Sequence, residues 1–427
     1  MFGEQQQPAV ETETNNAPCT IPVRNETRLI RRLVIRNYKS IAACDVQLGP
    51  LTFLVGSNGS GKSNFLDALR FVADSLRNSL DHALRDRGGI NEVRRRSSGH
   101  PRDFGIRLDF ELPDGAKGHY SFAVSVRGDG GFVVKHEECR VVPGHNKGGP
   151  PQYYRVVEGE VKETTLSIAP AAVRDRLFLV NASGSPAFRP LYDALSSMGF
   201  YNLNPELIRD LQPPDPGDLL SRDGRNLPSV LAAVTNRDTL IKERIEEYLA
   251  QVVPGVEGVD AKQIGPRETL EFRQQMAGAK HPWRFLATNM SDGTLRALGV
   301  LVALFQGGSN GEPGPLLVGI EEPETALHPA AAEVLVDSLR DASEHRQVLV
   351  TSHSPELLGS PEISSHEILA VVSEEGETKI GHLDSAGRTV LSEHLYTAGD
   401  LLRMNQLRPD PAALSLNPDQ LTLFGTA

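Results

Sequence analysis

Residues 56–63 read Gly56-Ser57-Asn58-Gly59-Ser60-Gly61-Lys62-Ser63, which fits the pattern G-x-x-x-x-G-K-[ST] of a phosphate-binding loop. Glycines at this spacing let backbone N–H groups curl round phosphate oxygens, and a helix N-terminus behind them adds a favourable dipole. Lys62 is placed to neutralise the β- and γ-phosphates of a nucleoside triphosphate, and the Ser63 hydroxyl to ligate Mg²⁺. With Asn64, which opens the helix, this stretch is expected to hold ATP. A second chemical group is Glu321-Glu322, which ends the apolar run 316–320. Ligands of open α/β sheets bind at the carboxyl ends of strands. Glu321 is therefore expected to reach Mg²⁺, and Glu322 to orient or deprotonate an attacking water.

Two further segments carry weaker signals. Met290-Ser291-Asp292-Gly293-Thr294 opens a helix, with Ser291 a good N-cap and Gly293 permitting close backbone approach. It reads either as a lid on a phosphate or as an ordinary capped core helix. Thr351-Ser352-His353-Ser354-Pro355 follows a strand directly. A lone histidine there is usually structural, and its place in the motif order is what singles it out.

The elements that must position these groups follow from local patterning. Strands are predicted at 33–35 and 51–55, a helix over 64–80, and short strands separated by turns over 104–142. A helix with one apolar face fits 238–253. The last third predicts helices over 295–305 and 326–339, strands over 316–320, 347–351 and 368–372, and a helix near 391–404. Continuous apolar strands of this kind belong to a parallel sheet covered on both faces.

Composition bounds the rest. The chain has 427 residues, 39% apolar, with a net charge of −11, which excludes a uniformly basic DNA coat but leaves a local basic face open. Its cysteines, Cys19, Cys44 and Cys139, are few and scattered, which excludes a disulfide scaffold or a four-cysteine zinc site. No apolar run approaches the ~20 residues of a membrane span, and the first residues show no signal-peptide pattern. A cytoplasmic protein without membrane attachment is expected.

The order P-loop, long insertion, Ser-x-Gly helix, carboxylate pair and histidine resembles the ABC-type ATPase heads of the RecF/SMC lineage, over most of residues 29–405. Leu33-Val34-Ile35-Arg36-Asn37-Tyr38-Lys39-Ser40-Ile41 looks like its N-terminal strand signature. Glu321-Glu322-Pro323-Glu324-Thr325-Ala326-Leu327-His328-Pro329 looks like its fused Walker B and D-loop. More closely, the chain is similar to compact bacterial AAA/OLD-like ATPases that work in genome maintenance or phage defence. The segment after His353 is too short for a toprim nuclease domain, so a nuclease or other effector partner is expected in trans.

The resemblance implies an α/β P-loop NTPase, an ABC-type head with an antiparallel β-meander and an inserted helical lobe. It implies that Ser291 and Gly293 bind the γ-phosphate held by an opposite protomer. His353 would contact the same phosphate. ATP would then join two heads as a homodimer, and hydrolysis would release them. Two departures stand out: Glu321 replaces the usual aspartate, and Met-Ser-Asp-Gly-Thr replaces Leu-Ser-Gly-Gly-Gln. No Q-loop glutamine is evident. The implied division is a disordered tail (1–27), an N-terminal half-head (28–190), a helical insertion (191–285), a C-terminal half-head (286–405) and a flexible tail (406–427).

Two peripheral segments invite partners. Arg85, Arg87, Arg94, Arg95, Arg96 and Arg102 cluster with interspersed glycines. Arg94, Arg95 and Arg96 are expected to contact DNA phosphates without reading sequence, or else to line a solvated loop. Gln420, Leu421, Leu423 and Phe424 resemble the peptide by which bacterial replication proteins dock into the sliding clamp, and the alternative is that they pack back on the head. For the whole chain, one reading is an ATP-dimerised head acting on DNA or an effector. Others are a slow nucleotide switch that controls a toxic partner, and a transporter ATPase subunit.

Overall fold

The computed structural model describes residues 28–97, 101–128, 130–144, 148–307 and 314–425. The polar segment 1–27 lies outside the described residues. β1 (Ile30–Tyr38) and β2 (Ile41–Gln47) form a hairpin, and β3 (Leu51–Val55) leads into the phosphate-binding loop. β4 (Asp103–Glu111), β5 (Lys117–Val126), β6 (Phe132–Val142), β7 (Gln152–Val157) and β8 (Glu160–Thr164) make the antiparallel meander. β9 (Gly199–Tyr201) is short. β10 (Val256–Ile264), β11 (Arg267–Gln274) and β12 (Trp283–Leu286) form a separate sheet. β13 (Leu317–Glu321), β14 (Gln347–Ser352), β15 (Ile368–Glu374) and β16 (Glu377–His382) complete the set.

The main sheet runs β8-β7-β6-β5-β4-β1-β2-β16-β15-β3-β14-β13-β9. Its centre is parallel, β15–β3–β14–β13–β9, and the meander extends it on one side. Period-two alternation divides the side chains of the central strands between two cores. Leu54, Leu349 and Leu369 join the cluster that holds Phe65 and Leu69 of the helix Lys62–Arg77. Phe53, Val55, Val348 and Val350 join the cluster that holds Leu298 and Val302 of the helix Asp292–Phe305. The phosphate-loop helix and the Ser-x-Gly helix therefore cover opposite faces of one sheet.

Buried polar groups stitch distant segments. Gln347 is fully buried at the start of β14, donates to the carbonyls of Ile30 and Gly49, and accepts from Ile30 N–H. Glu137 is fully buried in β6 and accepts from Tyr120, Tyr154 and the N–H groups of Phe178 and Leu179. That carboxylate holds the chain leaving the meander onto the sheet. No helix among the described residues is long and apolar enough to cross a membrane.

The structure differs from the predicted elements in four places. The helix expected over 326–339 occupies Ala332–Ser343, because residues 322–331 first make tight turns, with Ala326 at φ +65°. The helix expected near 391–404 is two, Ser385–Ser392 and Ala398–Arg403, the second restarted by the capping box of Thr397 and Asp400. The insertion carries helices Leu227–Arg237 and Thr239–Val252, and also the sheet β10–β12, while its residues 199–201 return to the main sheet as β9. The segment 406–425, expected to be flexible, is packed.

That last difference has a physical cause. Leu421 and Leu423 are buried against Val34 and Ala43, and Leu423 is only 2% exposed. Gly105 leaves the room: a Cβ there would sit 2.4 Å from Leu423 Cδ1. Arg107 Nη1 donates to the carbonyls of Leu423 and Gly425, and Phe424 stacks on His136 at 3.8 Å. A docking peptide must offer its anchors to a partner, and here they are engaged by the chain's own sheet. The segment packs back on the head as irregular chain rather than as a closing strand, so clamp docking by Gln420, Leu421, Leu423 and Phe424 would first have to release it. Leu423→Ala is expected to cost about 2 kcal/mol, the low end for a buried leucine. A lowered urea midpoint at unchanged m-value is the measurement that checks it.

Candidate active site

The parallel registry of the central strands gathers motifs that are far apart in sequence. Val55 lies opposite Ser352, and Thr351 opposite Glu321. The carboxyl ends of β3, β14 and β13 therefore lie within one residue of one another, and Gly56, His353 and Glu322 each follow directly on their strand.

The loop after β3 needs its glycines. A Cβ on Gly56 would sit 2.0 Å from the Val371 carbonyl oxygen, and Gly61 has φ +105° with Thr378 Oγ1 where a Cβ would go. Thr378 donates to the Ser60 carbonyl at 2.9 Å and pairs with the Ser40 hydroxyl at 2.7 Å, while Asn64 Nδ2 donates to Ser40 at 2.6 Å. The β1–β2 turn and the β15–β16 hairpin thus brace the loop. Gly61 is the N-cap of the helix Lys62–Arg77 and offers no side-chain cap. The first-turn N–H groups therefore lack the usual capping oxygen, which suits an anion. Lys62 Nζ folds back onto the carbonyls of Gly56 (2.9 Å) and Ser57 (3.0 Å). Burial lowers its pKa, and the charges of Glu322 and Glu324 oppose that shift. Ser60 Oγ is buried without a partner. A phosphate-shaped cradle with an ammonium at its edge fits a nucleotide.

Ser63 and Glu321 line one cavity of about 250 Å³, with Asn64, Lys39, Asp67, Arg70 and Arg222. Hydroxyl and carboxylate oxygens are the hard donors that Mg²⁺ takes, so the donor set fits the ion. Glu322 has φ +45°, a left-handed conformation costly for a residue with a side chain. Its N–H donates to the carbonyl of Thr351 at 3.0 Å and lies 3.2 Å from Thr351 Oγ1. His353 Nδ1 lies 3.0 Å from Glu322 Oε1. The two residues expected to be catalytic are thereby in contact.

Three residues of the site were not evident in sequence. Arg296 is buried, and it donates to the carbonyls of Leu203 (2.7 Å), Glu321 (3.2 Å) and Glu322 (2.9 Å). It fixes the backbone that carries both carboxylates. Glu324 accepts from Ser352 Oγ at 2.7 Å; burial pushes its carboxyl pKa up, and its Oε2 has no partner. Arg222, from the insertion, pairs with Glu321 at 2.8 Å. A hydrophobic pattern carries no trace of contacts made across about a hundred residues of chain.

Ser291 is the N-cap of the helix Asp292–Phe305; its Oγ accepts from Thr294 N–H at 3.2 Å. Asp292 pairs with Arg209, which also donates to the Met290 carbonyl. Gly293 packs on the turn after Glu322: a Cβ would sit 2.5 Å from the Ala326 oxygen. The contacts described for Ser291 and Gly293 are with their own helix and that turn.

The arginine cluster is more ordered than a flexible loop. Arg87 is buried between Asp67 and Asp74, and Arg85 pairs with Asp81. Arg94 bridges to Tyr38 and donates to the Pro101 carbonyl at 2.9 Å. Arg95 pairs with Glu377 at 3.1 Å, and Arg96 with Glu92. Pairing with acids, from Glu92 four residues before Arg96 to Glu377 in β16, is what the sequence reading left out. Arg94, Arg96, Arg102 and Arg127 nevertheless line one cavity of about 550 Å³.

The chain is similar over part of its length to several known proteins. Over 178 residues the chain is 29% identical to structural maintenance of chromosomes protein 1 of Schizosaccharomyces pombe, covering 38% of this chain and 14% of that one. Over 46 residues it is 52% identical to the DNA replication and repair protein RecF of Porphyromonas gingivalis, covering 10% of this chain and 13% of that one. The chain thus spans only a small part of the length of these relatives. A solved SmcHead bound to the C-winged helix domain of ScpA aligns at 16% identity and a TM-score of 0.49, covering 84% of this chain and 99% of that one. The model of the family described as "AAA domain, putative AbiEii toxin, Type IV TA system" matches residues 51–137 and 193–359, more than half of the sequence. With that match and a phosphate loop, carboxylate pair and histidine on one sheet edge, the chain belongs to this AAA family and is built as an ABC-type, RecF/SMC-like ATPase head.

Proposed function

We propose that the chain binds ATP and Mg²⁺ at the loop 56–64 and hydrolyses the γ-phosphate. The observation that carries this reading is the meeting of Lys62, Ser63, Glu321 and the Glu322–His353 pair at neighbouring strand ends. Lys62 leaves the carbonyls of Gly56 and Ser57 for phosphate oxygens. Ser63 and Glu321 hold the Mg²⁺, which supplies charge neutralisation on the phosphates. His353 orients Glu322, which positions a water and takes its proton.

Two copies join on ATP in this reading. Ser291 and Gly293 of one head then close over the γ-phosphate of the other, as a helix N-terminus suits an anion. DNA is the proposed macromolecular ligand, with Arg94 and Arg96 as phosphate contacts and Arg95 held back by Glu377. The RecF relative, a DNA replication and repair protein, supports that choice. A nuclease or other effector acts in trans. A second reading is a slow nucleotide switch governing a partner protein. It draws on Asp292, an acid paired with Arg209 where the resembled Leu-Ser-Gly-Gly-Gln has a glycine.

Glu322→Gln is expected to lower ATP hydrolysis by about 100-fold or more, as for loss of a general base. The same variant should run as a dimer on sizing with ATP and Mg²⁺, and a monomer under those conditions sinks the dimer mechanism. A second prediction concerns DNA. The double variant Arg94→Ala/Arg96→Ala should bind duplex more weakly, with a salt slope smaller by about 2. Unchanged affinity and slope reject the contact. ATP turnover that DNA does not stimulate favours the switch.

A further inference from the structure

The insertion meets the candidate active site through one charge. Arg222 lies between β9 and the helix Leu227–Arg237, and its Nη2 is 2.8 Å from Glu321 Oε1. Its carbonyl accepts from Asn202 N–H at 2.9 Å. Asn202 directly follows β9, which pairs in parallel with β13, Tyr201 opposite Ile320. The backbone of Arg222 is therefore tied to the strand beside Glu321, while its side chain is 48% exposed and held at its tip by that one carboxylate.

It has two places to turn between. Arg222 lines the cavity of about 250 Å³ that holds Ser63 and Glu321. It also lines a larger cleft of about 890 Å³, walled by Asp215, Asp218, Arg77 and Tyr192. Arg70 and Phe200 belong to both, so the two spaces share a wall. The larger cleft offers Asp215 and Asp218 as alternative carboxylate neighbours.

The charge balance makes the first position temporary. Glu321, Glu322 and Glu324 crowd four positions of chain, and each has a partner in the protein: Arg222, His353 and Ser352. A guanidinium and a divalent cation repel each other and compete for one carboxylate. Mg²⁺ in such sites is held by one or two carboxylates together with substrate phosphates, so it arrives with the nucleotide. The extra methylene of a glutamate, against an aspartate, gives Glu321 the reach to serve either cation.

We propose that Arg222 is a resident counter-cation of Glu321, seated where Mg²⁺ acts until metal and nucleotide arrive together. Its expulsion into the larger cleft then reports loading to the insertion. Arg222 is a positioning residue here, acting through Glu321. The inference rests on the ATP-site reading above.

The test titrates a fluorescent, non-hydrolysable ATP analogue into the full chain, in EDTA and at rising Mg²⁺. Arg222→Gln should lower the Mg²⁺ needed for half-maximal binding by about five-fold, the scale of a half-exposed ion pair. Affinity in EDTA should stay within about two-fold, and Arg222→Lys should keep the Mg²⁺ midpoint of the unaltered chain. Hydrogen exchange over residues 219–226 should change on loading with Mg²⁺ and the analogue, in the unaltered chain but not in Arg222→Gln. A Mg²⁺ midpoint that is unchanged or raised in Arg222→Gln overturns the inference. So does a ten-fold loss of affinity in EDTA, which would make Arg222 a phosphate ligand. An unaltered chain that binds no analogue at any Mg²⁺ concentration overturns the ATP-site reading, and the inference with it.

Discussion

Parallel hydrogen bonding between β3, β14 and β13 sets the level at which three chain segments leave the sheet. Side chains alternate along a strand, so a slip of one residue would carry Glu321 into the core position of Ile320 and leave Glu322 in its place at the rim. The ladder is held against slippage by the two apolar clusters, which need Phe53 and Val55 on one face and Leu54 on the other. Arg296 adds a lock that apolar packing cannot. It is buried with three carbonyl acceptors, two of them on the carboxylate pair itself. The left-handed turn at Glu322 costs on the order of 1–3 kcal/mol, and the contacts of Thr351 and Arg296 hold it in place.

Each charged side chain that would meet a nucleotide or its metal already has a partner in the protein, although Ser60 Oγ and Glu324 Oε2 have none. Lys62 lies on carbonyls of its own loop, Glu321 on an arginine, Glu322 on a histidine and Glu324 on a serine. Burial acts on both signs of charge, lowering the pKa of Lys62 and raising that of Glu324. Ligand binding at such a site is an exchange of partners rather than a filling of empty positions. Its net strength is the difference between two sets of charge-assisted contacts, each large alone. Few-fold changes in affinity are then the natural scale for altering any one partner.

How much was legible in the sequence depended on the range of the interaction. The glycine spacing at 56–61 and the acidic end of an apolar strand at 321–322 are local, and they survive in the structure as expected groups at one edge. Asp238 as an N-cap and Val252 before Pro254 bracket a helix by local rules as well. Arg222 and Arg296 act over separations of 99 and 25 residues, and no periodicity marks them. The sheet β10–β12 was missed because its outer residues are polar and charged, so its alternation is faint. The arginine cluster was legible as charge but not as pairing. Composition counts charges, while Asp67, Asp74, Glu92 and Glu377 had already taken several of them.

The packed segment at 421–425 bears on how the chain is made. Arg107 waits for the Leu423 carbonyl across 316 residues of sequence, and Ile30 for Gln347 across 317. Ribosomes add about 5–20 residues per second, so more than a quarter of a minute separates synthesis of the meander from synthesis of its cover. Through that interval Val34, Ala43 and the groove at Gly105 face water, beside strands able to pair with other chains. The patch left open in that interval is small and ringed by charge, with Arg32 beside Asp45 and Arg36 beside Asp103, so the same face that waits for its cover also carries the charged side chains that blunt edge-to-edge pairing.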